Sequence, residues 1–293
     1  MFLEPIAAAK TPKSYLVFDL ESAVIDHAGH ARYQKMERWV PEHDEHKSRR
    51  DYSRDADPLK TPRWPFQTIV MTSAMLLIEH PDGNLDITRF ESFGAPDRDE
   101  RQLVTDLITF FAQAPANVEM VTWGGSMNDF PILLNALQRH GLTLPSGLKW
   151  MSFGGDGRNH HLDLMRLLTG GFKIKPVHLA EYAASLDIPA KLTAPAWQVS
   201  DLIRHGCWEM VADICDGDVI TTALLLARWR QLHDGRADIA TIEDRLLRRI
   251  CEYRPDAGYT AALNAKRAEH LAVRLRTTMR QAGALAPWLE QAA

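Results

Sequence analysis

The sequence has few cysteines and no long apolar run. Its three cysteines cannot all pair, and no CxxC motif is present. No stretch approaches the roughly 18 apolar residues of a membrane span, and residues 1–12 lack a basic region followed by an apolar core. These absences exclude a disulfide scaffold and a zinc site of paired cysteines. We expect a cytoplasmic protein that has no contact with a membrane.

A strong charge of either sign is also missing. The formal net charge is -4, so the chain lacks the global basic surface that duplex DNA-binding proteins usually show. Any contact with nucleic acid must therefore be local. Hydrophobic residues make up 45% of the 293 residues, which is enough to bury the core of one large domain, or of one domain with a tail.

An apolar run that ends in two acids is the most informative stretch. Residues 15–22 read YLVFDLES. In a β-strand Asp19 and Glu21 point to one face, and the leucines beside them point to the other. Two like charges on a buried face repel each other, so a divalent cation between them is a fitting partner. The alternative is a strand that ends in solvent, with both acids marking the edge of the sheet.

The rest of the pattern predicts an α/β fold. A polar, histidine-rich segment at about 26–61 is predicted as a surface insertion rather than a metal site, because mixed charges surround its histidines. Apolar stretches at 68–78 and 85–93, joined by the turn sequence PDGN, predict two further strands of an antiparallel meander. A helix at 97–114, a strand at 118–123, a helix at 177–186 and a long helix from about residue 208 follow.

Two more acids lie where a fold could use them. Asp129 follows a strand and two glycines and precedes Pro131, which predicts the N-terminus of a helix; an ordinary helix cap is the alternative. Asp218 lies on or beside the apolar side of the long helix, where an unpaired carboxylate is costly. Asp213 and Asp216 fall on a more polar side of that helix and are assigned no special role.

The motifs that carry these acids resemble the three exonuclease motifs of the DEDD superfamily of 3′-5′ exonucleases. They read FDLE at 18–21, NDFP at 128–131 and DV at 218–219, in the family's order. The sequence is similar in particular to stand-alone predicted exonucleases related to the proofreading domain of family-B DNA polymerases. The HLDL run at 161–164 and the loop of Lys191 are similar to that group as well, so the resemblance spans about residues 14–231.

The resemblance implies a fold and a chemistry. The fold is α/β and ribonuclease H-like: a mixed sheet, with antiparallel strands first and parallel strands after, flanked by helices. In the family, four carboxylates hold two Mg²⁺ or Mn²⁺ ions, and oxygen-only ligation suits such cations. Carried over, the catalytic residues and metal ligands are Asp19, Glu21, Asp129 and Asp218. The implied activity is hydrolysis of terminal phosphodiesters at the 3′ end of single-stranded DNA, with RNA as an open alternative.

The sequence departs from the family before the last acid. The family has a tyrosine four residues before it or a histidine five residues before it, whereas this chain has Ile214 and Asp213. An isoleucine cannot orient or deprotonate water, so activity would depend on a metal-bound hydroxide alone, or on His161 or Tyr182 acting from elsewhere. This departure favours an alternative function, that of a catalytically impaired member that binds nucleic acid or a protein partner.

Substrate contacts are expected at Asn128, Phe130 and Lys191, because single-stranded ends are bound by stacking surfaces and local cations. Gly124 and Asn128 replace an asparagine and a phenylalanine that the family often has in the middle motif, which weakens the expected stacking. A phosphatase of the haloacid-dehalogenase type is a further alternative. It would require an aspartate in place of Glu21 and a downstream lysine motif, which is not evident.

The chain is predicted to divide near residue 232. Residues 14–232 would form the exonuclease-like domain, with an insertion at about 26–67, and residues 233–293 a helical C-terminal extension. Arginines and acids interleave in the extension, which favours a solvated surface; a docking surface for nucleic acid or a protein partner is the alternative. Further candidates for substrate contact are the basic cluster at 47–54, Trp123, Phe153 and Trp197. The alternative for the cluster is a solvated loop, and the alternative for each aromatic residue, Phe130 included, is a place in the buried core.

Overall fold

The computed structural model describes most of the chain. The described residues are 13–23, 28, 29, 32, 64–152, 160–195, 198–234 and 238–285. Most of the predicted insertion at about 26–67, including the basic cluster at 47–54, lies outside the described residues, as do Phe153 and Trp197.

The described strands form one mixed sheet. They are β1 (Ser14–Ala23), β2 (Thr68–Glu79), β3 (Leu85–Gly94), β4 (Val118–Thr122) and β5 (His161–Asp163). Their spatial order is β3-β2-β1-β4-β5. β2 is antiparallel to both β1 and β3, whereas β4 is parallel to β1 and β5 is parallel to β4. The predicted ribonuclease H-like α/β class, with antiparallel strands first and parallel strands after, is confirmed.

Helices cover both faces of this sheet. They are α1 (Glu100–Ala112), α2 (Asp129–Arg139), α3 (Leu164–Leu168), α4 (Leu179–Ser185), α5 (Val199–Arg204), α6 (Trp208–Asp234), α7 (Ile239–Tyr253) and α8 (Thr260–Leu285). Two short 3-10 turns lie at Trp64–Phe66 and Ser146–Ser152. The start of α1 is fixed by a capping box, in which Asp99 accepts the N–H of Gln102 and the Gln102 side chain accepts the N–H of Asp99.

The central strand β1 contributes side chains to the cores on both sides of the sheet. Leu16 and Phe18 pack in one cluster with buried residues of α1 and α2. Val17 points to the opposite side, where its cluster includes Val219 of α6. Because side chains alternate along a strand, the acids at positions 19 and 21 share the side of Val17 and face α6. The predicted alternation along this strand is therefore correct.

Of the two C-terminal helices, α7 belongs to the main core. Leu246, Leu247 and Ile250 of α7 are buried in the same cluster as α6, and Tyr259, just before α8, is fully buried. The side chains at 273–281 of α8 are exposed. The division near residue 232 stays a prediction, as does a location in the cytoplasm. None of the described helices is both long and apolar enough to cross a membrane.

Candidate active site

Three acids from distant parts of the sequence meet beside the central strand. Asp19 and Glu21 extend from β1 and Asp218 from α6, and one carboxylate oxygen of each lies within 4.8 Å of the others. All three residues are half-buried. Three carboxylates at such distances cannot all ionise at low cost unless a positive charge lies among them.

Asp129 adds to the same negative field from a third direction. It is the first residue of α2 and is only 6% exposed. Burial, followed by the charges of Asp163 and Asp218, raises the pKa of Asp129 to about 8. The charge of Asp129 in turn raises the pKa of Asp19. Among the described residues, however, Asp129 is outside the group of three whose oxygens lie within 4.8 Å of one another.

Burial and mutual repulsion make these acids hard to ionise. The pKa of Glu21 rises to about 8, first because the residue is buried and then because of the negative charge of Asp218. Burial also raises the pKa of Asp19 well above its usual value and raises that of Asp218. The site therefore holds an excess of negative charge that a bound cation would relieve.

Lys191 offsets part of this charge. It lies in the loop between α4 and α5, and its Nζ donates to Asp218 Oδ2 at 2.5 Å. Its φ of +50° is in the left-handed region, which is uncommon for a residue with a side chain. The second oxygen, Asp218 Oδ1, is buried and has no hydrogen-bond partner. A buried acceptor without a donor is costly, so this oxygen is available to a ligand.

The donor set fits a hard divalent cation. Asp19, Glu21 and Asp218 offer carboxylate oxygens, the ligands that Mg²⁺ and Mn²⁺ prefer. The unpartnered Asp218 Oδ1 would gain a partner from such an ion. Lys191 holds only the other oxygen of Asp218, so its hydrogen bond and a bound ion are compatible.

A buried acid shapes the turn that carries Asp129. The carboxylate of Asp163 accepts the backbone N–H of Gly124 at 2.9 Å and that of Ser126 at 3.1 Å, and also the Ser126 hydroxyl. Gly124 has φ of +76°, and a Cβ there would lie 2.4 Å from Cε of Met165. The positive φ favours glycine at this turn. The sequence pattern alone indicates no role for Asp163, although its HLDL run resembles the family.

The three predicted substrate residues have different environments. Lys191 is bonded to Asp218, as described, and Asn128 is exposed beside Asp129 and makes no capping hydrogen bond. Phe130 is only 6% exposed. Its ring stacks on Phe18, with centroids 5.7 Å apart, and lies near two further rings on β5 and the preceding 3-10 turn. This ring is enclosed in the core, which agrees with the alternative of a core position and opposes stacking on a base.

The position that holds a tyrosine in the family is apolar and buried. Ile214 is 3% exposed and packs in an apolar cluster. The ring of His161 is engaged elsewhere, since its Nε2 lies 2.9 Å from Thr122 Oγ1, and burial lowers its pKa to about 4. The ring of Tyr182 packs against Trp123. Both residues named as stand-ins for the tyrosine thus already have other contacts.

The expectation that Asp216 has no special role is wrong. Asp216 is 4% exposed, and its Oδ1 accepts the hydroxyls of Ser73 at 2.6 Å and Ser92 at 2.5 Å. Its Oδ2 accepts the hydroxyl of Tyr259 at 2.9 Å. These bonds join α6 to β2, β3 and the segment before α8. They anchor the part of α6 that carries Asp218, two residues later, to the sheet.

The sequence matches a known family over residues 61–252, about two thirds of the chain. The family is described as "Predicted 3'-5' exonuclease related to the exonuclease domain of PolB". The chain belongs to this family. The resemblance inferred from the motifs is thereby confirmed, and the dehalogenase-type phosphatase is set aside. The match to this exonuclease family includes Asp129 and Asp218, whereas β1 precedes it. No curated protein matched the chain.

Several solved structures are partly similar to this member of the exonuclease family. The family B DNA polymerase of the hyperthermophilic archaeon Pyrobaculum calidifontis is 18% identical, with a TM-score of 0.42, and the match covers 82% of this chain and 29% of the polymerase. Exonuclease I (apo) is 9% identical, with a TM-score of 0.41 and coverage of 76% and 43%. E. coli exonuclease I in complex with a 5cy-dT13 oligonucleotide is 9% identical, with a TM-score of 0.39 and coverage of 76% and 41%. The chain spans less than half of each of these proteins.

Proposed function

We propose that the chain is a metal-dependent 3′-5′ exonuclease that hydrolyses terminal phosphodiesters of single-stranded DNA. One observation carries the proposal: Asp19, Glu21 and Asp218 meet at one point, where Asp218 Oδ1 is buried without a hydrogen-bond partner. Such a cluster is unfavourable alone and favourable with a cation. Membership in the exonuclease family supports the same assignment.

The proposed metal ligands and catalytic residues are Asp19, Glu21, Asp129 and Asp218, with two Mg²⁺ or Mn²⁺ ions as cofactors. When bound, these ions supply Lewis acidity for the attack of water on a phosphodiester and for the departure of the 3′ oxygen. The protein positions the groups that hold them. β1 sets the two acids at 19 and 21 on one face, the start of α2 sets Asp129, and Lys191 orients Asp218 through a 2.5 Å hydrogen bond.

Asn128 and Lys191 are proposed to contact the substrate. Asn128 is exposed and adjoins Asp129, so its amide can donate to a phosphate or a sugar hydroxyl at the site. Lys191 is 15% exposed beside Asp218, so its ammonium group can also attract the scissile phosphate. Phe130 is left out of this set because its ring is buried.

A catalytically impaired module that binds nucleic acid or a protein partner is the second candidate. The burial of Ile214 in an apolar cluster favours it, because no phenol or imidazole at that position can orient water. The exposed part of α8 is the proposed surface for a protein partner. The two candidates differ in turnover, since the impaired module would bind a strand without shortening it.

Digestion of a 5′-labelled single-stranded DNA tests the proposal. The full chain is incubated with Mg²⁺ or Mn²⁺, with and without EDTA, beside the variants Asp218→Asn and Asp256→Asn. Asp256 is an exposed acid in the turn after α7 and serves as the matched control. We expect a ladder that shortens from the 3′ end. EDTA should abolish it, and Asp218→Asn should slow it by about a hundredfold or more, as expected for the loss of a metal ligand.

The outcomes separate the candidates. The exonuclease is supported if the wild type and Asp256→Asn shorten the DNA and if this shortening is lost in EDTA and in Asp218→Asn. A folded wild type that binds the strand but does not shorten it with either metal supports the impaired module. Equal digestion by Asp218→Asn and the wild type would remove the metal assignment. A parallel reaction with RNA of the same sequence determines which nucleic acid is preferred.

A further inference from the structure

The segment that connects β5 to α4 has a basic surface. Between residues 164 and 180 the sequence contains no acid, but it contains Arg166, Lys173 and Lys175. All three residues are exposed. This local excess of positive charge contrasts with the net charge of -4 of the whole chain.

Both ends of this segment lie beside the acidic site. At its start, Asp163 accepts the backbone N–H of Arg166 and also holds the turn that precedes Asp129. At its end, the indole of Trp123 donates to the carbonyl oxygen of residue 177 at 3.3 Å, and His178 is within electrostatic range of Asp218. The basic segment therefore passes from the side of α2 to the side of α6.

The backbone of the segment is held in a defined shape. Gly170, Gly171 and Phe172 all have φ between 63° and 78°. The buried hydroxyl of Thr169 donates to the carbonyl of Met165 at 2.7 Å and accepts the N–H of Phe172 at 3.1 Å. A surface that is ordered before binding loses less conformational entropy when a ligand arrives.

An apolar residue lies between the two lysines. Ile174 is 63% exposed, and Lys173 and Lys175 flank it. A solvated basic loop has no need of an exposed isoleucine, whereas a nucleotide strand presents both charged phosphates and apolar faces of sugar and base. Surfaces that bind single strands combine cations with apolar contacts in this way.

We propose that residues 166–178 hold the phosphodiester backbone of a single strand while its 3′ end lies at the acidic site. The inference rests on the proposed exonuclease function and identifies the surface that keeps the strand bound. The acids alone would repel a polyanion, so a neighbouring basic surface is needed to offset that repulsion. The length of the segment allows contact with several phosphates at once.

Two double variants with the same loss of charge test the inference. Lys173→Ala/Lys175→Ala alters the segment, and Arg276→Ala/Arg280→Ala alters exposed arginines of α8. The affinity of each full chain for a labelled single-stranded oligonucleotide is measured by fluorescence anisotropy in EDTA over a range of salt. We expect about tenfold weaker binding for the lysine variant and a salt slope lower by about 1.4, since each phosphate contact on a single strand contributes about 0.7.

The arginine variant should bind within about twofold of the wild type, because its charges lie outside the proposed surface. Unchanged affinity and slope in the lysine variant would overturn the inference, as would a larger loss in the arginine variant. A poly-glutamate peptide that competes as well as a second oligonucleotide would show that the segment recognises acidic peptides instead.

A digestion assay with Mg²⁺ separates this inference from the proposed function. If the wild type shortens DNA and the lysine variant has the same KM, the exonuclease stands and the inference fails. If the wild type binds the strand without shortening it, and the lysine variant binds more weakly, hydrolysis fails and the binding surface stands. If the exonuclease function and the binding surface are both correct, the KM of the lysine variant rises about tenfold with little change in kcat, because the lysines contribute to ground-state binding.

Discussion

Replacing Asp129 by asparagine should stabilise the protein in the absence of divalent metal, although it should abolish DNA digestion. The pKa of Asp129 is raised from 3.8 to about 8 by burial and by the charges of Asp163 and Asp218. One pKa unit corresponds to about 1.4 kcal/mol. At pH 7 the folded state keeps a proton that the unfolded state has released, and this difference lowers the unfolding free energy by at most about 4 kcal/mol. Solvent entry and side-chain relaxation lower this cost, and we expect a net gain of about 2 kcal/mol in the unfolding free energy.

A smaller effect opposes this gain. Asp129 is the first residue of α2, where a negative charge interacts favourably with the helix dipole by about 0.5 kcal/mol. Because a pKa of about 8 keeps the folded carboxyl largely protonated at pH 7, little of this contribution is present to be lost. For a chain of this size, a net gain of about 2 kcal/mol corresponds to a rise in melting temperature of about 5 °C.

The pH dependence identifies the cause. Because the folded state raises the pKa of Asp129, it binds the proton more tightly than the unfolded state. The wild type therefore loses stability as the pH rises from about 4 to about 8. An asparagine side chain does not titrate, so the advantage of Asp129→Asn should be small near pH 4 and largest near pH 8. Added Mg²⁺ should stabilise the wild type more than the variant and so reduce the difference.

Thermal melting in EDTA across this pH range is the assay, with the exposed residue Asp256 changed to asparagine as the control. The control should have the same melting temperature as the wild type at every pH. Equal melting temperatures of Asp129→Asn and the wild type at pH 8 would refute the reasoning. A gain that is the same at all pH values would also refute it, because it would have a cause other than the carboxylate charge.

Three further changes probe other parts of the site. Lys191→Met removes the ammonium group that is hydrogen-bonded to Asp218, so the pKa of Asp218 should rise. The acidic limb of the pH–rate profile for DNA digestion should then move up by about one pH unit, and an unmoved limb contradicts this. Tyr259→Phe deprives buried Asp216 of a donor and should lower the unfolding free energy in urea by about 1–2 kcal/mol, whereas no loss would argue against this network. Ile214→Tyr overpacks an apolar cluster and should lower the unfolding free energy in urea by about 1–3 kcal/mol. An unchanged midpoint of urea unfolding would show that the cluster can accommodate the larger side chain.

The features that depend on local periodicity could be predicted from the sequence. Alternation along β1 placed Asp19 and Glu21 on one face, and helical spacing placed Asp218 near the apolar side of α6. The antiparallel meander followed from two apolar runs joined by a four-residue turn. These predictions were correct because each depends only on residues that are close together in the sequence.

The residues that were misjudged depend on contacts between segments. Helical spacing placed Asp216 on the polar side of α6. It could not reveal that hydroxyl groups of β2 and β3 lie opposite that side. Phe130 adjoins a candidate catalytic acid, yet the rings around it come from three other segments. Asp163 is bonded to a turn about 40 residues earlier in the chain. In each case the missing information was tertiary.

The distance in sequence between β1 and α6 also has a consequence for biosynthesis. Asp19 and Asp218 are about 200 residues apart, so the acid cluster depends on a contact that forms late. As the chain leaves the ribosome, the five strands of the described part emerge before α6 does. A translation product that stops before α6 lacks Asp218 and cannot assemble the cluster. The order of synthesis thus keeps the acid cluster from forming on an unfinished chain.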